Sequence, residues 1–298
     1  MLISIITPFY CGNSYMAGFY QMVEKAAKEF LAQGQERSVE VIIVNDSPWE
    51  RVELPENESH SFRLIVIDNK KNSGIHQSRV NGLEKAAGEY VLFLDQDDEI
   101  SGDCLCTQIK AARGADLVLG NGIFETAGSS KAAIYGNHFS LKFASRAKPN
   151  VMIRDFIVSP GQCLIKKNSI PMEWRRCVMK KNGADDYLLW LLMFNNKMSV
   201  SANDAFVYMH KYTGGNISAD LEVMFQSSLE LLELLKRNPN YQYQTYRKLE
   251  RTIHYKHDIH LSRNVILPNP FKNLDIFLYN VYYRLVWRGC LLGKGRYT

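Results

Sequence analysis

The chain has 298 residues, of which 46% are hydrophobic, 22% charged and 11% aromatic, and this balance excludes a disordered or fibrous protein. The length leaves room for one extended α/β domain, or for a domain of roughly 200 residues with an appendage. A net charge of +5 is modest but uneven: beyond Pro268 stand Lys272, Arg284, Arg288, Lys294 and Arg296 against Asp275 alone, a composition that suits an anionic surface or ligand.

From the N-terminus, Ile3 to Ile6 and Val39 to Val44 are short, β-branched apolar runs, the pattern of strands buried on both faces of a parallel sheet. Between them Tyr15, Phe19, Met22, Val23, Ala26 and Phe30 recur at helical spacing and predict one apolar stripe. The cycle repeats with a strand at Arg63 to Ile67, a helix from about Gly74 to Ala87, a strand at Tyr90 to Leu94, a helix after Ser101 and a strand at Asp116 to Leu119. Such alternation predicts a doubly wound α/β sheet.

From Asn121 to Ser159 the pattern is irregular, and the stretch reads as a substrate-facing excursion or, alternatively, as plain surface. A strand near Gln162 to Ile165, a helix from about Ala184 to Asn195 and the segment Met198 to Met209 follow, then a loop at Tyr212 to Asn216. Beyond Ile217 the chain reads helical, with Leu221, Met224, Phe225, Leu229, Leu232 and Leu235 on one face and a break at Asn238-Pro239. The most apolar stretch, Tyr187 to Phe194, is far shorter than the roughly 18 to 20 residues that a membrane-spanning helix requires. The N-terminus lacks the basic leader and small-residue cleavage site of a signal peptide. Six cysteines (Cys11, Cys104, Cys106, Cys163, Cys177, Cys290) without zinc spacing are expected as buried free thiols in a reducing compartment.

In doubly wound sheets ligands sit beyond the carboxyl ends of the strands. Polar clusters fall there: Thr7-Pro8-Phe9-Tyr10, Asn45-Asp46-Ser47 and Asp95-Gln96-Asp97-Asp98. Carboxylates crowded at one strand end repel one another, and a hard cation such as Mg²⁺ or Mn²⁺ relieves that repulsion while leaving room for phosphate oxygens. The alternative is an acidic turn that caps the helix after Ser101.

SIITPFY, then VNDS, then NSGIHQSRVNGLEKAAGEYVLFLDQDD, resembles in order and spacing the inverting family-two glycosyltransferases of the GT-A fold, over about the first hundred residues. Gly183 to Trp190 looks like that family's ED-plus-Trp segment, with Asp185 where Glu is commoner. The resemblance implies a GT-A-type, Rossmann-like, mostly parallel sheet flanked by helices, with a helical C-terminal extension. It divides the chain into a nucleotide-sugar half (1–100), an acceptor and catalytic half (101–220) and a helical remainder (221–298).

Carried over residue by residue, the resemblance implies that Thr7, Pro8 and Gln96 line the donor site, that Tyr10 stacks on the nucleobase and that Asp46 bonds the base. It makes Asp95 a contact to ribose or metal, gives Arg79 the diphosphate and sets Asp97 as the metal ligand. His210, in an HxxxGGN context, would complete the metal shell, with Lys211 facing the diphosphate and Gly214-Gly215 as a lid. Asp186 becomes the general base, with Asp185 and Trp190 supporting the acceptor. Against these stand plainer readings: a surface ion pair for Arg79, a half-buried core aromatic for Tyr10, helix-dipole stabilisation for Asp185 and Asp186, a structural histidine for His210 and a core position for Trp190. The sequence departs from the family at Cys11 and Gly12, where Asn usually follows the Tyr, and at Ser78 and Val80 around Arg79.

The implied activity is metal-dependent transfer of a sugar from a nucleotide-diphospho donor, a UDP-sugar by expectation, to a saccharide or polyprenyl-linked acceptor in surface polysaccharide synthesis. A sugar-phosphate nucleotidyltransferase would carry a Gly-rich loop after the first strand, and TPFYCGN is not one; a lapsed glycan-binding module remains the non-enzymatic alternative. Nucleic acid is not an expected partner, since the basic residues form no reading motif. The tail from Asn269 to Thr298 mixes aromatic and basic residues, which suits a membrane surface, and its alternative is packing on the catalytic domain or in a homo-oligomer. A cytoplasmic protein, peripheral on the inner face of the cell membrane, is the corresponding expectation.

Overall fold

The computed structural model describes residues 1–34, 36–55, 59, 61–125, 130–211, 220–261 and 273–287. Its centre is a sheet in the order β3-β2-β1-β4-β8-β6-β9-β5, with β7 paired to β6. β1 (Leu2–Phe9) and β2 (Ser38–Asn45) are buried along almost their whole length, as continuous β-branched runs require. β3 (Arg63–Asp68), on the edge, is only partly buried. β1 pairs in parallel with β2 and with β4 (Tyr90–Phe93), and β2 pairs in parallel with β3.

Beyond β4 the sheet becomes mixed. β8 (Cys163–Lys166) runs antiparallel to both β4 and β6 (Leu117–Glu125). β9 (Val200–His210) is parallel to β6 and antiparallel to the short β5 (Glu99–Ile100). The expected parallel pairing therefore holds within β3-β2-β1-β4 and again between β6 and β9, and the antiparallel insertion of β8 joins these two halves.

α1 (Asn13–Leu31) covers one face of the sheet through Met16, Phe19, Val23, Ala26, Ala27 and Phe30. Tyr15, expected in that stripe, is 38% exposed, and Met16 takes its place. α2 (Ile75–Lys85) covers the other face and begins at Gly74, whose φ of +86° favours glycine. α2 lies so close to the sheet that a Cβ on Gly82 would stand 2.3 Å from the Ile6 side chain. α3 (Cys104–Ala112) follows β5.

Among the described residues of the stretch expected to be irregular, most fall in regular elements. β6 continues to Glu125, β7 (Lys131–Ala133) pairs back on it, and α4 (His138–Ala144) and α5 (Ala147–Met152) follow. α6 (Met172–Arg176) precedes α7 (Asp185–Asn195), which is buried from Tyr187 to Met193. α8 (Leu221–Arg237) and α9 (Tyr243–Leu261) pack on one another, with the break at Asn238 to Gln242 where Asn238-Pro239 predicts it. On α8 the buried residues are Ser227, Leu231, Leu232 and Leu235, whereas Leu221, expected on that face, is 54% exposed.

α10 (Leu274–Tyr282) continues into one wider turn at Tyr283–Trp287. Among the described residues no helix is long and apolar enough to cross a membrane. The described cysteines are free; Cys104 and Cys163 are buried as expected, but Cys11 and Cys177 are exposed. Cys290 and the loop Tyr212 to Asn216, with Gly214-Gly215, lie outside the described residues.

Candidate active site

The carboxyl ends of β1, β2 and β4 bring three polar loops together. After β1, Cys11 takes a positive φ of 46° and its N–H donates to Ser47 Oγ at 3.1 Å, tying this loop to the one after β2. From the loop after β4, Gln96 clamps the Tyr10 backbone: its Oε1 accepts from Tyr10 N at 2.9 Å and its Nε2 donates to Tyr10 O at 3.1 Å. Tyr10 is thereby held 49% exposed, edge-on to the still more exposed Trp49 with ring centres 5.9 Å apart. Thr7 and Pro8 are buried, and Thr7 Oγ1 has no partner among the described residues.

Asp46 is also buried. It accepts from Asn69 Nδ2 and Ser73 N, both at 2.7 Å, and from Gly74 N at 2.8 Å, so its carboxylate fixes the loop that leads into α2. Asn69 in turn donates to Ser78 Oγ at 2.9 Å and accepts from Asn81 Nδ2 at 2.7 Å. Asn69 is a supporting residue that the motif reading passes over, because a lone Asn before a Lys-Lys-Asn turn carries no chemical signature.

Arg79 takes a different position from the one the resemblance implies. It is 3% exposed, with Nη1 on Asp185 Oδ2 and Nη2 on Asp95 Oδ1, both at 2.7 Å. Burial disfavours its charge, but the charges of Asp185 and Asp95 outweigh burial and raise its pKa. Both terminal nitrogens are engaged by carboxylates, and the pairing is internal to the fold, not a surface ion pair. Only Nε lacks a partner among the described residues. Arg79 instead ties the end of β4 to the start of α7.

That tie separates two adjacent carboxylates. Asp185 is buried, is consumed by Arg79, and offers its backbone carbonyl to Trp174 Nε1 at 2.8 Å. Asp186 stays partly exposed, and its Oδ1 accepts the N–H of Tyr187 at 2.7 Å. Its pKa is raised well above the ordinary carboxylate range, by its deep setting first and then by the negative charges of Asp155 and Asp185. Asp155, just after α5, is the second carboxylate of this pair; its removal from water pushes its own pKa from 3.8 up to about 7. Asp155 falls within the stretch that reads as irregular, so only the fold reveals it.

Beside α7 opens a cavity of about 130 Å³, lined among others by Asp155, Ala184, Tyr187, Phe225, Ile253 and Lys256. Trp190 does not line it: the side chain is 0% exposed and belongs to the core, as its plainer reading has it. A buried His76 supports the same region. Its Nδ1 accepts from Met179 N at 3.0 Å, so the proton sits on Nε2, 3.1 Å from Trp174 O, and burial lowers its pKa.

The remaining carboxylates follow β4. Asp98 is buried and accepts from Tyr208 Oη; its Oδ1 lies 3.1 Å from His210 Nδ1 and 3.3 Å from Lys211 N. His210 is the last residue of β9, not part of a loop. Burial works against its charged form, but the hydrogen bond and charge of Asp98, with Asp97 and Asp95 behind it, raise its pKa. Lys211 pairs with Glu99 and so is directed to a carboxylate. Asp97 is partly exposed, and burial with the charges of Asp98 and Asp95 pushes its pKa from 3.8 up to about 6.

Asp97 offers oxygen donors in surplus negative charge, and His210 stands at the edge of the same cluster, a donor set compatible with a hard divalent cation. Among the described residues no three His, Cys, Asp or Glu side chains form a group that could hold a metal ion.

Comparison with known proteins agrees with this architecture. By sequence, 114 residues are 32% identical to a GalNAc(5)-diNAcBac-PP-undecaprenol beta-1,3-glucosyltransferase of Campylobacter jejuni, covering 36% of each chain. A match over 111 residues is 34% identical to a putative teichuronic acid biosynthesis glycosyltransferase of Bacillus subtilis, covering 37% of this chain and 41% of that protein. These matches span well under half of the curated relatives' length.

By structure, the chain superposes on residues 1-349 of S. aureus TarS in complex with UDP-GlcNAc with a TM-score of 0.61 and 16% identity, over 93% of this chain and 79% of that one. It also superposes on the mannosyltransferase PcManGT of Pyrobaculum calidifontis, solved with GDP-Man and Mn²⁺, with a TM-score of 0.56 and 12% identity, over 95% of this chain and 75% of that one. The model of glycosyl transferase family 2 matches residues 4–170, more than half of the chain and the whole run from β1 through β8, and the protein belongs to that family.

Proposed function

We propose that the protein is an inverting, metal-assisted glycosyltransferase that moves a sugar from a UDP-sugar to a saccharide or polyprenyl-linked acceptor in surface polysaccharide synthesis. The observation that carries this reading is the Arg79 bridge, which takes Asp185 out of play and leaves Asp186 as a basic carboxylate between Ala184 and Tyr187, residues that line a cavity together with Asp155. The UDP-GlcNAc held by TarS supports the donor class, and the names of the Campylobacter and Bacillus relatives support the acceptor class.

Tyr10 and Trp49, exposed beyond the carboxyl ends of β1 and β2, offer ring surface to the base, and Gln96 holds Tyr10 in place. Asp46 shapes the loop and the start of α2, whose N–H groups face anions favourably. A divalent cation held by Asp97 with His210 would offset the negative charge that gathers on the leaving diphosphate.

The chemical step falls to Asp186. Its carboxylate takes the proton of the acceptor hydroxyl while that oxygen forms a bond to the anomeric carbon. The bond from that carbon to the diphosphate oxygen breaks on the opposite face, and its electron pair leaves with the nucleoside diphosphate, giving inversion. A proton acceptor works best with a pKa near the working pH, so the raised pKa of Asp186 makes it a better base than an ordinary carboxylate.

The test is to follow UDP release from a panel of UDP-sugars with acceptor, with and without chelator. Turnover is expected to fall by a factor of about 10² or more in Asp186→Asn, the range for loss of a general base. Full activity in that variant would remove the base assignment, and chelator-insensitive turnover would remove the metal. Pyrophosphate release from a nucleoside triphosphate would favour the nucleotidyltransferase alternative.

A further inference from the structure

The C-terminal helix has two unlike faces. Ile276 is buried, and the rings of Tyr279 and Tyr283 stack on Phe143 with centroids 6.2 and 5.0 Å away, so this face is fixed to α4. On the outer face Leu274, Leu278 and Tyr282, spaced four residues apart, are 46%, 55% and 44% exposed, and Leu285 continues the row at 50%. Apolar side chains at that spacing form one stripe. Such a stripe left in water forgoes about 25 cal/mol for each Å² that a partner would cover.

Cations border the stripe. Lys148 Nζ lies 4.6 Å over the Tyr279 ring. Lys142 on α4 and Arg146 just after it are exposed and share a groove with Lys197, and Phe139 on α4 is itself 49% exposed. The one acid between residues 273 and 287, Asp275, is compensated by Arg251. The sequence that follows adds Arg288, Lys294 and Arg296 and no acid.

Charge chooses the occupant. A second copy docking through a two-fold axis would set this patch against itself and oppose lysine to lysine. An anionic bilayer complements it, receiving the leucines below the headgroups and the ammonium groups among them. We propose that the outer face of α10, with the cationic border of α4 and α5, docks on an anionic phospholipid surface. The inference stands apart from the transferase reading, although a polyprenyl-linked acceptor would be met at such a surface.

The full-length protein is sedimented with vesicles of phosphatidylcholine alone or mixed with phosphatidylglycerol, at low and high salt. Binding to the mixed vesicles is expected, weakening as salt rises and absent on phosphatidylcholine. Lys142→Gln and Lys148→Gln should each lower the partition coefficient about fivefold, which is about 1 kcal/mol per cation near the surface. Leu278→Gln with Leu285→Gln should lower it at least as much. Both leucines are exposed, so the melting temperature and UDP release with a water-soluble acceptor should stay as in the parent; a dead transferase that still bound vesicles would leave the inference standing. Equal binding to both vesicle types, or variants that bind like the parent, would overturn it. So would a dimer in sedimentation velocity that the leucine pair dissociates.

Discussion

Arg79 shows how little of a side chain's role its motif position fixes. Its place early in α2 suggests an anion ligand, yet in the fold it meets two carboxylates from elements distant in sequence and closes an internal bridge. No sequence pattern joins position 79 to position 185, whereas the gathering of Asp95, Asp97 and Asp98 at one strand end is legible because they directly follow a buried strand. Arg79→Met is expected to destabilise the protein by about 3–5 kcal/mol in urea unfolding, because Asp185 would be left buried and unpaired. Arg79→Lys should recover only part of this, since a single ammonium cannot reproduce the planar two-armed contact.

Asp155 and Asp186 carry the pH dependence. Both carboxyls bind protons more tightly folded than unfolded, so the folded state holds more protons between about pH 4 and the raised values, and stability should fall as pH rises through that window. Activity should run the other way, climbing as Asp186 loses its proton. Because the two groups influence one another, the rising limb belongs to the pair. In Asp155→Asn one negative neighbour is gone, so the limb of the UDP-release profile should move to lower pH while the plateau falls as the base weakens. A limb left in place would show that Asp155 does not act on Asp186.

At the scale of elements, legibility follows burial. β1 and β2 are dry on both faces and read as continuous β-branched runs; α1 and α8 announce themselves by their periods. The stretch from Asn121 to Ser159 hides its structure because its pieces are short and depend on tertiary contacts. α4 spans seven residues and starts at Asn137, whose side chain accepts from Ser140 N, but a helix of that length holds only when packed, here through Leu141, Phe143 and Ala144. The doubly wound alternation likewise could not disclose β8, whose antiparallel insertion depends on pairing partners far apart in sequence. Gly82 gives a test of the close approach between α2 and the sheet. In an exposed helix Gly→Ala stabilises by about 1 kcal/mol. Here the added methyl would stand 2.3 Å from Ile6 Cγ2 and 3.1 Å from Val44 Cγ2, so Gly82→Ala should destabilise by about 1–3 kcal/mol in thermal or urea unfolding.

For the molecule as a whole, the net charge of +5 conceals a separation: carboxylates converge at the strand ends, while Lys142, Arg146 and Lys148 gather along α4 and α5 beside the C-terminal helix. The acidic cluster is costly while it has no counter-charge, and Asp97 registers this in a pKa pushed up to about 6. A ligand pair that supplies both the cation and the diphosphate it bridges should therefore bind the folded state cooperatively. Mn²⁺ alone should raise the melting temperature slightly and UDP alone modestly, and the two together by more than the sum. At a hundredfold excess over its dissociation constant a ligand adds about 2.7 kcal/mol, enough for a shift of several degrees. Asp97→Asn should abolish the extra increment from Mn²⁺ while leaving most of the UDP effect, because the proposed donor site gives the nucleoside to Tyr10, Trp49 and the β2 loop. An increment that survives in Asp97→Asn would assign the cation to other residues of the cluster, and strictly additive shifts would separate the cation from the nucleotide altogether.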